Sequence, residues 1–183
     1  MFLDSISPGK HVPDEVNVII EIPAQASPVK YEMDKKSGAM IVDRFMSVAM
    51  YYPCNYGFIP HTLSEDNDPL DVLVVAPHPV MSGSVIACRP IGVLNMVDEA
   101  GPDAKVIAVP VPKIYSMYNH VQSTRDLSVE LLEQIVHFFE QYKSMEKNKW
   151  VKITGWGSPD TAKAEILASL ERSAYKERTS DHQ

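Results

Sequence analysis

Short apolar runs separated by turn residues fill the first two thirds of the chain, and they constrain the fold more than any other feature. The stretches between them carry proline and glycine and show no helical periodicity. The runs cover 16–22, 29–33, 39–45, 72–76, 84–97 and 104–109, and the fifth is interrupted at Pro90 and Gly92. Many short strands without intervening helices indicate a β-barrel or a sandwich, not a parallel α/β sheet.

The last third of the chain changes to helical periodicity. Its apolar positions include Leu131, Ile135, Phe138 and Tyr142. Asp126 or Ser128 is expected to cap this helix. A short strand over 150–154 and a second helix from Ser158-Pro159 to about 175 follow, and a polar tail over 176–183 is expected to fray. We therefore predict one domain over residues 1–183: a mainly β (α+β) fold with a β-barrel core and two helices in its C-terminal half.

The charge balance argues against nucleic acid and membrane surfaces as partners. The formal net charge is −7, whereas both partners call for a basic face. No apolar run approaches the ~20 residues that cross a bilayer, and residues 1–5 lack the pattern of a signal peptide. Cys54 and Cys88 lie far apart without metal-type spacing, which predicts reduced thiols in a cytoplasmic protein.

Three aspartates fall close together directly before the apolar run at 72–76. They are Asp66, Asp68 and Asp71. Like charges this close repel one another unless a cation relieves the repulsion. Pro69 fixes a bend that can turn Asp71 to the side of the other two. The segment by itself is compatible with a solvated acidic loop as well as with a metal site.

Two familiar aspartate motifs do not fit this segment. A calcium loop of the EF-hand type needs glycine at its sixth position and glutamate at its twelfth, where this chain has Asp71 and Pro77. Phosphatases with an aspartyl nucleophile carry their aspartates after an apolar strand, whereas here the strand follows them. The chemistry must therefore be inferred from the other charges of the chain.

Further charges occur inside segments predicted to be half-buried strands. They are Glu21, Lys30, Glu32, Arg44, Asp98, Asp103 and Lys105, and Lys143 on the first helix could join them. Each alone fits a solvated strand face, but charges on the inner face of a barrel need partners. If they converge, carboxylates outnumber cations. Because the donors are hard oxygens without a His or Cys cluster, such a site favours Mg²⁺ or Mn²⁺ over Zn²⁺, and leaves lysine and arginine for phosphate oxygens.

The segment 66–72, Asp-Asn-Asp-Pro-Leu-Asp-Val, meets the signature Asp-x-Asp-Pro-apolar-Asp-apolar in full. It resembles the family I (soluble) inorganic pyrophosphatases of bacterial type. The resemblance runs from about Pro13 through the second helix. Flanking segments that match are 20–23, 30–32, 43–44, 52–57, 98–105 and 137–143.

The resemblance implies hydrolysis of pyrophosphate to two phosphates on a five-stranded barrel of the oligonucleotide-binding (OB) type. It also implies a cytoplasmic homo-oligomer, usually a hexamer, and direct attack on phosphorus by a hydroxide that bridges Mg²⁺ ions. Implied metal ligands are Asp66, Asp71, Asp98 and Asp103, with Glu21 and Glu32 serving a metal that arrives with substrate. Asp68 would be the general base. Phosphate would be bound by Lys30, Arg44, Tyr56, Tyr142 and Lys143, supported by Lys105 and Tyr52.

Two alternatives remain open at this stage. One is a broader metal-dependent phosphohydrolase that acts on nucleotides or phosphomonoesters. The other is a non-enzymatic OB-type protein, which would need a basic, aromatic groove to bind oligonucleotides. Tyr142 likewise has two interpretations, because it continues the apolar stripe of its helix and could be a core residue. No role is assigned to His137.

Overall fold

Strands dominate residues 5–180, the part of the chain that this computed structural model describes. The strands are β1 Val16–Ile22, β2 Val29–Met33, β3 Met40–Phe45, β4 Asn55–Phe58, β5 Asp71–Val74, β6 Val85–Asp98, β7 Gly101–Pro110 and β8 Val151–Gly157. The α-helices are α1 Val129–Gln141 and α2 Pro159–Ser180, and short 3₁₀ helices cover Ser116–Tyr118 and Thr124–Asp126. The prediction of a mainly β chain with two helices in its C-terminal half is confirmed.

Five strands close into a ring. Their order is β1-β4-β5-β7-β6, and β6 pairs back onto β1 over Val16 to Ile19. The β5–β7 pair is parallel and the other pairs of the ring are antiparallel. Strand β8 extends β6, and β2 and β3 form a separate hairpin. The ring is the five-stranded core that the family resemblance implies, and the interruption in β6 is a register shift between Pro90 and Gly92.

Both faces of the ring are covered, which explains why its strands read as continuous apolar runs. Val72 and Val74 of β5 belong to a buried cluster with Ile166 of α2. Leu73, between them in sequence, belongs to a second cluster with Phe138 of α1. Burying each such side chain contributes about 1.5–3 kcal/mol of transfer free energy. The two helices therefore seal opposite sides of the sheet.

A serine side chain caps the N-terminus of each α-helix. The hydroxyl of Ser128 accepts the Leu131 N–H at 3.2 Å and caps α1. The alternative cap, Asp126, instead accepts the backbone N–H groups of the residues at 122 and 123 and closes its own 3₁₀ turn. Ser158 accepts the Thr161 N–H at 3.2 Å at the start of α2, as predicted.

Some predicted boundaries are wrong. The turn expected at Gly101-Pro102 lies at residues 99–100, because Gly101 already pairs with Asp98 in the β6–β7 ladder. Strand β4 was not predicted at all, and β8 runs on to Gly157. Residues 176–180 were expected to fray, yet they continue α2. The rest of the predicted tail, 181–183, and most of the segment tested for a signal peptide, 1–4, lie outside the described residues.

Two further sequence predictions can be checked against the described residues. Cys54 and Cys88 are both free and buried. Among residues 5–180, no helix combines the length and apolar character needed to cross a bilayer.

Candidate active site

A cavity of about 140 Å³ gathers half of the predicted site residues. Its walls come from β1, the β2–β3 hairpin, β4 and the segment that leads into β5. The predicted residues that line it are Glu21, Lys30, Glu32, Tyr56, Asp66, Asp68 and Asp71. Five of the lining side chains are carboxylates and two are lysines, since Lys35 joins Lys30. The cavity therefore carries excess negative charge.

A left-handed residue shapes the acidic loop. Asn67 has φ of 70°, a conformation that asparagine tolerates better than most residues. One hydrogen bond spans Asn67: a side-chain oxygen of Asp66 accepts the Asp68 N–H at 3.1 Å. The Asp68 side chain is 75% exposed, and its nearest cation is Lys35 at 3.5 Å. Sequence reasoning assigned the bend to Pro69 and gave no part in it to Asn67.

A β-bulge aims Glu21 toward the cavity. Ile20 pairs with Gly57 and Ile22 with Tyr56, which leaves Glu21 as the extra residue of β1. Glu21 is buried and accepts the Met33 N–H at 2.8 Å. Burial, helped by the nearby acids at 71 and 32 and opposed by the Met33 N–H, raises the pKa of this carboxyl to about 8. The protein alone thus supplies too little positive charge to keep Glu21 ionised at neutral pH.

A second bulge organises the predicted phosphate-binding cations of the hairpin. Lys30 pairs with Arg44, whereas Tyr31 pairs with Val42, so Asp43 is the extra residue of β3. The Asp43 carboxylate lies 3.2 Å from Lys30 Nζ and 3.2 Å from Arg44 Nη1. Sequence analysis included Asp43 in a matching segment but gave it no role. Its contacts show that it holds the two cations together.

Two other carboxylates brace these cations. Lys30 also contacts Glu32, two residues along the same strand face, as the alternation of β2 predicts. Arg44 Nε lies 3.4 Å from Glu146 Oε1, in the segment after α1. Sequence reasoning missed Glu146 because it is distant in the chain and belongs to no recognised motif.

Lys105 joins two predicted metal ligands. Its ammonium lies 2.8 Å from Asp103 and contacts Asp71, and the lysine side chain is only 5% exposed. Burial lowers the pKa of Lys105, but Asp71 and Asp103 outweigh this effect and the net pKa is above its usual range. Burial raises the pKa of Asp103, and Lys105 offsets only part of the rise.

Asp98 and Lys143 form a second bridge, between the end of β6 and the end of α1. Lys143 Nζ lies 2.7 Å from Asp98 Oδ2 and 3.7 Å from Glu99 Oε1. Burial would raise the pKa of Asp98, but the Lys143 and Ala100 donors lower it below its usual range. Glu99 also contacts Lys149, which fixes the segment that follows α1.

The tyrosines connect the site to the core. The rings of Tyr52 and Tyr56 lie 5.0 Å apart, Tyr52 and Phe138 4.5 Å, and Phe138 and Tyr142 5.3 Å. Burial raises the pKa of Tyr142, although Lys105 and Lys143 oppose the shift. The ring of Tyr142 packs on the α1 cluster, while its hydroxyl interacts with Lys143; its role in phosphate binding stays a prediction. Burial, reinforced by Asp71, also raises the pKa of Tyr56, which keeps its hydroxyl a donor.

The donor set suits a hard divalent cation. The cavity offers carboxylate oxygens and includes no histidine or cysteine, which is the ligand chemistry of Mg²⁺ and Mn²⁺. The raised pKa of Glu21 points the same way, because a bound cation would relieve it. Over the described range, no three acidic, histidine or cysteine side chains already sit in metal-holding geometry. Two of the predicted metal ligands, Asp71 and Asp103, are instead paired with Lys105.

Comparison with protein families and known proteins gives one consistent result. The family model described as "Inorganic pyrophosphatase" matches residues 18–174. The inorganic pyrophosphatase of Escherichia coli K12 is 58% identical over 176 residues, which cover 96% of this chain and all of that protein.

Solved structures agree with this match. The inorganic pyrophosphatase structure of Coxiella burnetii superposes with a TM-score of 0.88 at 53% identity, covering 91% of this chain and 99% of that one. A structure from Anaplasma phagocytophilum, described as an inorganic phosphatase, gives a TM-score of 0.91 at 49% identity, covering 93% and 99%.

Proposed function

The chain belongs to the inorganic pyrophosphatase family and hydrolyses inorganic pyrophosphate, and we propose that it does so in the cavity lined by Asp66, Asp68 and Asp71. The observation that carries this assignment is the meeting of the signature aspartates with Lys30 and Tyr56 in that one cavity. The acidic walls also argue against the alternative of an oligonucleotide-binding protein, which calls for a basic groove.

Several Mg²⁺ ions are the cofactor in this proposal, with Mn²⁺ as a substitute. The carboxylates that would hold them are Asp66, Asp71, Asp98, Asp103, Glu21 and Glu32. When bound, the ions supply Lewis-acid chemistry that makes water a better nucleophile and neutralises phosphate oxygens. Lys105 fits this scheme as a fixed cation that keeps Asp71 and Asp103 close together.

Asp68 is the general base of the proposal. Its side chain lines the cavity but is mostly exposed, and its ion pair with Lys35 is long at 3.5 Å. Asp71, by contrast, is tied to Lys105. Asp68 is therefore free to accept the proton of the attacking water, while the hydrogen bond from its backbone to Asp66 holds it in place.

Cations and hydroxyls in the cavity and beside it bind the two phosphates; Lys30 and Tyr56 line the cavity, whereas Arg44, Tyr142 and Lys143 lie outside its lining. Lys30 and Arg44 are held side by side by Asp43, so they can meet the oxygens of one phosphate together. Lys143 and the Tyr56 and Tyr142 hydroxyls add donors, and Tyr52 supports the rings. The leaving phosphate gathers negative charge in the transition state, and donors fixed in advance stabilise it without reorganisation.

The protein is also proposed to act in the cytoplasm as a homo-oligomer, a hexamer. The two free cysteines fit a reducing compartment. Large exposed side chains such as Phe45, Tyr51 and Met145 offer apolar area for subunit contacts. Light scattering on purified protein should give six times the mass of one chain, and a monomer mass would contradict the hexamer.

Phosphate release tests the site and its substrate together. Wild-type protein should release phosphate from pyrophosphate with Mg²⁺ and not with a chelator. ATP and a phosphomonoester should be poor substrates, which separates this enzyme from a broader phosphohydrolase. Asp71→Asn should abolish activity and Glu65→Gln, an exposed acid in the same loop, should not. Wild-type turnover by Asp71→Asn would contradict the assignment of the cavity.

A further inference from the structure

Arg172 of α2 is bonded to the loop that carries Asp66 and Asp68. Its Nε donates to the Leu63 carbonyl oxygen at 2.7 Å. The Leu63 N–H in turn donates to the Ser169 carbonyl oxygen at 2.9 Å. Both backbone polar groups of Leu63 are thus held by neighbouring turns of one helix.

The bonds that shape the acidic loop start from the next residue. The Ser64 N–H donates to the Asp68 carbonyl oxygen at 2.7 Å, and the Asn67 N–H donates to the Ser64 carbonyl oxygen at 3.1 Å. A displacement of Leu63 would carry Ser64 with it and shift the turn that presents Asp68. The position of α2 therefore sets the position of this turn.

The C-terminal end of the loop is held by a separate set of hydrogen bonds. The Thr62 hydroxyl accepts the Leu70 N–H at 2.9 Å and donates to the Ile59 carbonyl oxygen. Thr62 and Leu70 are buried, whereas residues 65–68 are exposed. The exposed turn is therefore tied to α2 through the Leu63 bonds, and the Lys176 ammonium of α2 adds a long bond to the Asn67 side chain at 3.4 Å.

The Arg172 guanidinium is itself oriented. Its Nη2 is paired with Glu165 Oε1, two helical turns earlier, and the two side chains are 31% and 30% exposed. The pair leaves Nε aimed at the Leu63 carbonyl. Arg172 is not among the residues that line the acidic cavity, so it acts through the loop and not on substrate.

We propose that Arg172 is a positioning residue for the Asp66–Asp68 turn, so that α2 controls how well that turn binds metal. The proposal rests on the function assigned above, because it gives the turn its role in metal binding. Loss of Arg172 should raise the Mg²⁺ concentration for half-maximal activity by roughly threefold to tenfold. That is less than the roughly 10- to 100-fold typical of groups bonded directly to a metal ligand, because Arg172 acts one step further away.

Hydrogen exchange on metal-free protein measures the tether itself. Amides in a peptide spanning 60–72 should exchange faster in Arg172→Ala than in wild type. Arg172→Lys, which keeps a donor, should restore part of the protection. Arg172→Gln keeps part of the stem and gives a second variant that lacks the charge. Glu165→Gln keeps an amide oxygen that can accept from Arg172, so it should lose less protection than Arg172→Ala.

Leu167→Gly is the matched control. It weakens α2 at an exposed position and removes neither of the groups bonded to Leu63. It therefore reports the effect of helix destabilisation alone. Equal exchange in the 60–72 peptide for Arg172→Ala and Leu167→Gly would overturn the proposal. So would faster exchange without any change in the Mg²⁺ half-activation concentration. Failure of wild-type protein to hydrolyse pyrophosphate would instead refute the proposed function. The exchange data on metal-free protein would still decide whether Arg172 holds the turn.

Discussion

The ammonium of Lys105 lies 2.8 Å from a carboxylate oxygen of Asp103, two residues earlier on the same face of β7. The same ammonium contacts Asp71 at the start of the neighbouring strand β5. The parallel pairing of Val72 with Val106 brings the two strand ends together. A buried lysine therefore links two proposed metal ligands that lie on neighbouring strands of the ring.

Replacing Lys105 tests this arrangement. Lys105→Met should lower the free energy of unfolding by about 3 kcal/mol in the presence of a chelator, because it leaves two neighbouring carboxylates without their buried cation. Adding Mg²⁺ should raise the free energy of unfolding more in the variant than in wild type. Urea denaturation with and without Mg²⁺ measures both effects. Lys149→Met removes the more exposed partner of Glu99 and should cost less than about 1 kcal/mol; an equal loss in both variants would contradict the special role of Lys105.

Asp68→Asn separates proton transfer from metal binding. The amide keeps the size of the side chain but cannot take a proton, so turnover at neutral pH should fall by about 10²–10⁴-fold. Metal affinity, measured by calorimetry without substrate, should change little because Asp68 is proposed not to be a ligand. Glu65→Gln provides the control on the same loop. Wild-type turnover in Asp68→Asn would show that another group acts as the base.

Calcium should bind the site without supporting activity. Ca²⁺ accepts the same oxygen donors but at 2.3–2.6 Å and with looser geometry than the 2.0–2.1 Å of Mg²⁺, and it acidifies water less. We expect Ca²⁺ to stabilise the protein against heat and to inhibit competitively with Mg²⁺. Full turnover in Ca²⁺ alone would contradict the proposed part of the metal.

The sequence shows which residue types the site contains, but not the directions in which their side chains point. Asp103 and Lys105 could be placed on one face because strand alternation is local. Glu21 could not, because its direction depends on a bulge created by pairing with β4, which is distant in the chain. The same holds for Asp43, the bulged residue of β3, and for Arg172, whose partner Leu63 comes from a loop more than a hundred residues away. Motifs predict which residue types take part in the site, whereas the pairing register between distant strands sets the direction of each side chain.

Strand β4 shows why register escapes local patterns, and it yields a final prediction. Gly57 discourages a strand assignment, yet a Cβ at this position would lie 1.9 Å from the Ile19 carbonyl oxygen and 2.9 Å from Ile20 Cα. The residue must be glycine because β1 passes this close, beside the bulge that aims Glu21. Gly57→Ala should therefore lower the free energy of unfolding by about 3 kcal/mol or more and reduce activity in the surviving folded fraction.

Gly83→Ala is the comparison for that variant. Gly83 has φ of 85° but open space around it, so alanine there should cost only the ~1–2 kcal/mol of a left-handed residue and leave turnover unchanged. Urea denaturation and phosphate release on both variants distinguish backbone strain from a clash between strands. A Gly57→Ala protein no less stable than Gly83→Ala would show that β1 and β4 can separate without cost, and the bulge at Glu21 would then not depend on their close approach.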